Sequence, residues 1–404
     1  MDSKQEVARF ATTAHQAVCA ACGSNELECF FTIPQVPLNC VVLRATQEAA
    51  LNAPTGRIEL VFCTACGAIS NVAFDPNLVD YDQSYDNSLH FSPTFRKYAD
   101  RLAHDLIERY NLRGKNIIDL GCGNAEFLAL VCALGDNRGL GFDPSFIQGR
   151  ADLKAGKGVK VIQDYYSERY AEYAADFVIC RHVLEHIPKP TEFLGNVKGT
   201  LGASSEAAVF FELPNASFVF QKNSIWDVLY EHCFYYSSAA LAKLFSASGF
   251  NVLNVSETFD GQYLSLEGRL PSGGNGLRGD AASDLDLMLS HIRRFADVFR
   301  CQHAHWEKTL DRFVDQGKRV VLWGAGAKGA MFLNTVRKSS LDYVVDVNPH
   351  KSGLYIPGTG QEVVSPEFLR QYRPDALLLT NPNYRDEIGH QVAALGIAPE
   401  LLLI

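Results

Sequence analysis

From Lys115 onward, short apolar runs alternate with longer stretches of helical period, and that alternation limits the fold more than any other feature of the chain. The runs occupy residues 116–120, 138–142, 159–163, 177–180 and 208–212. Strands separated by helices must be joined by crossovers, and crossovers build a mostly parallel sheet covered on both faces. The pattern stops near a glycine-rich stretch at 271–276, which reads as a linker. A long helical pattern follows on Leu285, Met288, Leu289, Ile292, Phe295, Phe299, Trp306, Leu310 and Phe313. Residues 319–323 then open a second α/β unit with no sequence repeat of the first. Upstream, Ser92 and Pro93 read as the cap and first turn of a helix with Phe95, Ala99, Leu102, Leu106 and Tyr110 on its apolar face.

The expected fold class is therefore α/β in four parts. These are a small metal-binding module over 1–75, a Rossmann-like domain over 76–270, a linker and long helix over 271–316, and a second Rossmann-like domain over 317–404. A length of 404 residues gives each domain enough chain for its own core. The net charge of −9 and the lack of a basic stripe argue against nucleic acid as a partner. No stretch reaches eighteen apolar residues, and residues 1–5 lack the apolar centre of a signal peptide. A cytoplasmic protein is expected, away from any membrane, acting on a small molecule as a monomer or homodimer.

Of eleven cysteines, seven are scattered singly, as in a reducing compartment. The other four form matched pairs, Cys19-x-x-Cys22 and Cys63-x-x-Cys66, each followed by a glycine, at Gly23 and Gly67. Two residues between cysteines let both thiolates of a turn face one ion, and two such turns fill a tetrahedral zinc site. Such a site leaves no position for water, so the expected zinc is structural. The 40 intervening residues imply a small β module, with strands expected at 38–43 and 58–62. Two unrelated turns and a redox dithiol are the competing readings.

The run Asp119-Leu120-Gly121-Cys122-Gly123 places a glycine turn between a buried strand and a helix, where backbone can approach a ligand closely. Asp143 follows at the tip of the next strand, where an acid can hold ribose hydroxyls. The third glycine of a dinucleotide fingerprint is missing. With the later run Arg181-His182-Val183-Leu184-Glu185-His186-Ile187, this segment resembles the class I S-adenosylmethionine-dependent methyltransferases. The resemblance implies S-adenosyl-L-methionine as cofactor and assigns its binding to Asp119, Gly121, Cys122, Gly123, Asp143, Pro144, Arg181 and His182. A nicotinamide domain is the competing reading.

The order of parts resembles the deoxysugar C-methyltransferases that act on nucleotide-linked keto sugars. Matching landmarks are the first cysteine pair, Tyr230-Glu231-His232 with Tyr236-Ser237, Trp323-Gly324-Ala325-Gly326-Ala327-Lys328-Gly329, and the stretch from Asp346 to Gly358. C-methylation needs a base to take a proton beside a carbonyl and a group to steady the enolate oxygen. The resemblance implies His232 as that base, with Glu231 orienting it or touching the sugar. Tyr230 and Tyr85 are candidate hydroxyl partners, and His186 is a second candidate acid or base. Two departures stand out. Leu229 occupies the place of the family's tyrosine two before the glutamate, and Phe259-Asp260-Gly261-Gln262 replaces a His-Gly-Gly-Ser run.

In the last domain, Gly324-x-Gly326-x-x-Gly329 with Asp346 beyond it has the spacing of a dinucleotide fingerprint. The resemblance implies instead that this domain encloses the nucleotide-sugar, with Lys328 and Asp346 as substrate contacts. O- or N-methyl transfer on the same scaffold, and a non-catalytic nucleotide-binding protein, are the alternative functions.

Overall fold

The computed structural model describes residues 17–150, 158–170, 172–201, 207–271, 281–336 and 341–404. Nearly all of the expected 271–276 linker lies outside them. The chain forms three sheets around one long helix.

The first sheet is antiparallel, with β1 (Leu27–Pro37), β2 (Thr55–Cys63) and β3 (Ile69–Asn71) in order. The expected strand at 38–43 is absent: that segment is irregular backbone, and Leu38, Cys40, Val41 and Val42 are apolar because it is buried. Instead β1 precedes it, and Pro34 and Pro37 hide it from a sequence reading. Proline is tolerated there because β1 is the sheet's edge and its register shifts between Ile33 and Val36.

The second sheet holds β4 (Asn116–Leu120), β5 (Arg138–Phe142), β6 (Val159–Ile162), β7 (Phe177–Arg181) and β8 (Ala208–Pro214). The two-residue β9 (Phe234–Tyr235) leaves this domain and pairs with β3, so it completes the first sheet. β10 (Asn251–Thr258) and β11 (Tyr263–Arg269) then finish the second sheet, in the order β10-β11-β8-β7-β4-β5-β6. β11 runs antiparallel to both neighbours, and the rest are parallel where they pair with each other.

The third sheet is parallel throughout: β12 (Val320–Trp323), β13 (Leu341–Val345), β14 (Glu362–Val364), β15 (Ala376–Leu379) and β16 (Glu400–Leu403). Its order β14-β13-β12-β15-β16 reverses beside β12, which opens a crevice at the strands' carboxyl ends.

The helix Pro93–Tyr110 begins where Ser92 Oγ accepts the Phe95 N–H at 3.2 Å. Its buried face is Phe95, Ala99, Ala103, Leu106 and Ile107, with Leu102 and Tyr110 only partly covered. The 35-residue helix Ala281–Asp315 is the spine between the first and third sheets. Phe295 packs edge-on against Phe31 of β1 at 5.0 Å, and Trp306 against Phe332 of the third domain at 5.7 Å. One continuous apolar core thus runs from β1 through the spine to β12. Truncating the fully buried Phe295 would cost about 3–5 kcal/mol.

Candidate active site

The carboxyl ends of the second and third sheets face one cavity of about 680 Å³. Gly121, Asp143, Arg181 and Pro214 mark its wall from the second sheet; Gly324, Asp346 and Thr380 mark the wall from the third. The irregular segment from Val79 to Phe91 lines the cavity as well and contributes Tyr81 and Tyr85. Asp86 fastens that segment to both domains, pairing with Arg150 and accepting from Asn348 Nδ2 at 3.3 Å.

The glycine turn is built as its sequence demands. Gly121 (φ 71°) and Gly123 (φ 54°) are both left-handed, and a Cβ on Gly121 would fall 2.1 Å from Val183 Cγ2. A Cβ on Gly123 would meet nothing within 4 Å, so the cavity face of the turn is bare backbone. Gly123 N–H donates to Asp143 Oδ2 at 2.7 Å, while Asp143 Oδ1 accepts from Ser145 N–H at 2.8 Å and its hydroxyl at 2.6 Å. Pro144 lines the same edge. Cys122 lies behind the turn against Gly141, where a Cβ would come within 2.5 Å of its sulfur, and burial pushes its thiol up. Burial also raises Asp119 to about 8, opposed by Arg181 and assisted by Asp143. Bare backbone beside a fixed carboxylate suits the ribose and tail of S-adenosylmethionine.

Arg181 closes the floor. Its Nε and Nη2 donate to Glu212 Oε1 at 2.9 and 2.7 Å, and its guanidinium lies 4.2 Å from the Phe127 ring centre. Burial pushes Glu212 up, but Arg181, His182 and Tyr98 outweigh it and hold the carboxyl at about 2. Arg181 is therefore committed to Glu212. His182 adopts φ 57° and packs edge-on to Tyr263 at 4.5 Å.

Glu185, His186, Glu231 and His232 converge deeper in the cavity. The two imidazoles lie edge to face, 4.9 Å between centres. His186 Nδ1 is 2.9 Å from the Glu231 carbonyl oxygen and 2.9 Å from the Tyr81 hydroxyl. Burial lowers His186 to about 4 and His232 well below its ordinary value, so both rings are neutral near pH 7. Burial raises Glu185 and Glu231 to about 8. The expectation that the Glu231 carboxyl orients His232 is not met. Its carboxyl takes a hydrogen bond from the Cys40 backbone, and it is the main-chain carbonyl of Glu231 that orients an imidazole, that of His186.

Tyr230 does not reach the cavity. Its hydroxyl accepts the Asp75 N–H at 3.0 Å and its ring packs on Phe74, under Gly56 of the first module. The one-residue shift from the family's tyrosine position turns the side chain to the opposite side. Tyr85 lines the cavity and lies edge-on to Tyr81 at 5.0 Å. Sequence reasoning missed Tyr81, although the acidic run of residues 79–86 carries two tyrosines that could have signalled it, and it missed Glu185 and Gln262. Gln262 closes the segment that replaces the family's His-Gly-Gly-Ser run and accepts from Asn381 Nδ2 at 2.9 Å, tying the second sheet to the third.

In the third domain, Lys328 lines the cavity but pairs with Asp227 at 2.9 Å. Asp346 accepts Ala325 N–H at 2.9 Å and Asn348 N–H at 2.8 Å, with Lys351 Nζ 3.6 Å away.

Away from the cavity, the four paired cysteines meet. Cys19 and Cys66 sulfurs are 3.7 Å apart, Cys22 and Cys63 sulfurs 3.6 Å, and all four lie within 4.8 Å. Tetrahedral zinc with sulfurs at about 2.3 Å separates them by about 3.8 Å. Both turns close alike, Gly23 N–H to Cys19 O at 2.7 Å and Gly67 N–H to Cys63 O at 2.8 Å. The cluster fits a structural zinc ion. No helix among the described residues is long and apolar enough to cross a membrane.

Residues 95–255 match a methyltransferase domain model, and residues 280–398 match a model described as the C-methyltransferase C-terminal domain. The chain is 26% identical over 300 residues to the C-methyltransferase NovU of Streptomyces niveus, covering 70% of each chain. It is 33% identical over 105 residues to a ubiquinone biosynthesis O-methyltransferase of Escherichia coli O127:H6, spanning 25% of this chain and 44% of that one. Among solved structures it resembles the magnesium protoporphyrin IX methyltransferase of Synechocystis PCC 6803 with bound SAH. That likeness has a TM-score of 0.36 at 16% identity, covers 44% of this chain and 84% of that one, and argues nothing about function. With a glycine turn and an acid in place for the cofactor and a methyltransferase domain model across them, the chain is an S-adenosylmethionine-dependent methyltransferase.

Proposed function

We propose that the enzyme is a C-methyltransferase that methylates carbon beside a carbonyl, on a nucleotide-linked keto sugar, and that its cysteine cluster holds structural zinc. The observation that carries the reading is the edge-to-face pair of imidazoles, His186 and His232, in a cavity shared by two glycine turns. The C-terminal match and the likeness to NovU support carbon as the acceptor.

S-adenosylmethionine supplies an electrophilic methyl group on sulfur. Gly123 and Asp143 hold its nucleoside end. His232 takes the proton from the acceptor carbon, which an unprotonated ring can do. His186, fixed by the Glu231 carbonyl, is the second imidazole able to pass that proton on. Glu185 lies within 4.8 Å of both imidazoles, close enough to steady an imidazolium once it ionises. Lys328 and the turn around Gly324 enclose the nucleotide from the other side.

Incubation with a nucleoside-diphosphate 4-keto-6-deoxyhexose and methyl-labelled S-adenosylmethionine tests the reading. A labelled carbon–carbon methyl signal in NMR is expected. A methyl ether would support the O-methyltransferase alternative, which the 105-residue likeness favours. His232→Asn should abolish turnover with cofactor affinity within about twofold; equal loss of both makes His232 structural.

A further inference from the structure

Two acceptors compete for one ring nitrogen. His186 Nδ1 stands 2.9 Å from the Glu231 carbonyl oxygen and 2.9 Å from the Tyr81 hydroxyl oxygen. A carbonyl can only accept, so Nδ1 must carry the hydrogen, and the unprotonated nitrogen is Nε2. The Tyr81 oxygen then receives a share of that N–H and cannot donate to it. Its own hydrogen is left over, and among the described residues no other acceptor takes it. Because Tyr81 lines the cavity, that hydrogen is available to a ligand.

The position of the hydroxyl is fixed from several sides. The Tyr81 ring lies edge-on to His186 at 5.3 Å and to Tyr85 at 5.0 Å. On one side Asn39 Nδ2 donates to the Asp80 carbonyl at 3.1 Å, and on the other the Asp82 carboxylate caps Ser84 N–H at 2.8 Å. Burial and the nearby carboxyls raise the Tyr81 pKa, so the group stays a phenol and a donor. Tyr85 is buried alongside, yet among the described residues its hydroxyl has no hydrogen-bond partner that would aim its hydrogen.

We propose that Tyr81 is the catalytic hydroxyl that donates to the acceptor's carbonyl oxygen and steadies it as negative charge develops. The proposal rests on the enolate reading above. In the step, the C–H bond beside the carbonyl breaks and its proton goes to His232. The electron pair spreads onto the carbonyl oxygen, which Tyr81 hydrogen-bonds without surrendering its proton. The carbonyl re-forms as carbon takes the methyl group, the C–S electron pair stays on sulfur, and S-adenosylhomocysteine leaves. A preset donor at a developing oxyanion is commonly worth about 100- to 1000-fold in rate.

The test separates enolisation from methyl transfer. The holoenzyme is saturated with S-adenosylhomocysteine in D₂O with a nucleoside-diphosphate 4-keto-6-deoxyhexose, and deuterium entry beside the carbonyl is followed by proton NMR. Wild type should exchange, and Tyr81→Phe should slow exchange about 100-fold with affinity for S-adenosylhomocysteine within about twofold. No exchange in wild type overturns the enolate reading and this proposal together. Exchange in Tyr81→Phe at the wild-type rate overturns the proposal alone, as does the same loss seen only in Tyr85→Phe. Imidazole nitrogen NMR supplies a second readout. His186 should stay the Nδ1–H tautomer in Tyr81→Phe, because the Glu231 carbonyl remains. A switch to Nε2–H would make Tyr81 a positioning residue and overturn its catalytic assignment.

Discussion

The Asp346 carboxylate accepts the Ala325 backbone N–H at 2.9 Å, in the same relation that Asp143 bears to Gly123 at 2.7 Å in the other domain. In each sheet an acid at the tip of the second strand closes the glycine turn after the first. Their surroundings differ. Asp346 has the Lys351 ammonium 3.6 Å away, whereas among the described residues Asp143 is held by Ser145 and the turn alone and borders bare backbone. The first arrangement is satisfied within the protein, and the second leaves a carboxylate for a ribose to engage.

Asp143→Ala should therefore weaken S-adenosylhomocysteine binding about 10- to 100-fold, the loss expected from hydrogen bonds to a charged group worth about 1.5–3 kcal/mol. Asp346→Ala should leave that affinity within about twofold while lowering the melting temperature. Calorimetric titration and thermal melting of both variants check the contrast. Equal weakening by both would mean that the cofactor spans the two domains.

Zinc should reach the active site through β9. This strand follows His232 by two residues and pairs with β3, whose partner β2 ends at Cys63. Cys63→Ser, or removal of metal by a strong chelator, should release that anchor as well as the cysteine turns. The expected outcome is one zinc per chain by elemental analysis, a lower melting point after its loss, and a parallel fall in turnover. Turnover unchanged after complete zinc loss would sever β9 from this role.

Stability should decline above neutral pH in the ligand-free enzyme. Burial raises Asp119, Glu185 and Glu231 to about 8, so the folded state holds protons that the unfolded chain has released. Their contribution is complete below the ordinary carboxyl range and is lost as pH rises through about 8. His186, lowered to about 4, acts in the opposite sense, but only below about pH 6.5. Between pH 6.5 and 8 each raised acid costs about 2 kcal/mol. Glu231→Gln should flatten that decline by about one group's share in urea melts at pH 6.5 and 8.5; an unchanged slope would assign the titration elsewhere.

Much of this arrangement is legible in the sequence. Strands β4 to β8 and β12 follow from apolar runs bounded by turns, and the Gly121–Gly123 turn with Asp143 follows from spacing, because a backbone site needs little beyond local order. The wall that carries the two imidazoles is harder to read. Leu38–Leu43 imitates a strand because a buried loop needs apolar residues as a strand does. β1 is obscured by prolines that only an edge strand tolerates. Nothing in a one-dimensional pattern says that β9 crosses into another sheet, or that a main-chain carbonyl rather than the Glu231 carboxyl orients an imidazole. Tyr81 and Tyr85 are four residues apart and both rings stand edge-on to His186, and only the fold tells which hydroxyl meets its Nδ1.

Tyr230 shows how one residue of register decides a role. It precedes Glu231 and His232, yet it is 1% exposed and its hydroxyl accepts from Asp75, outside the cavity. Gly56 lies so close that a Cβ there would fall 2.3 Å from the Tyr230 ring, so the ring fills space in the first module. Tyr230→Phe keeps that packing and removes only the acceptor, leaving the Asp75 N–H to solvent or unpaired. The expected loss is about 1 kcal/mol of stability, with kcat and KM within about twofold of wild type. Gly56→Ala should be worse, since overlap at that distance forces the ring or the strand to move, at a cost of about 1–3 kcal/mol. Thermal melts and steady-state kinetics of the two variants separate packing from chemistry. A Tyr230→Phe enzyme that melts normally but turns over 100-fold more slowly would put this hydroxyl against the substrate and require the 228–232 segment to rearrange on binding.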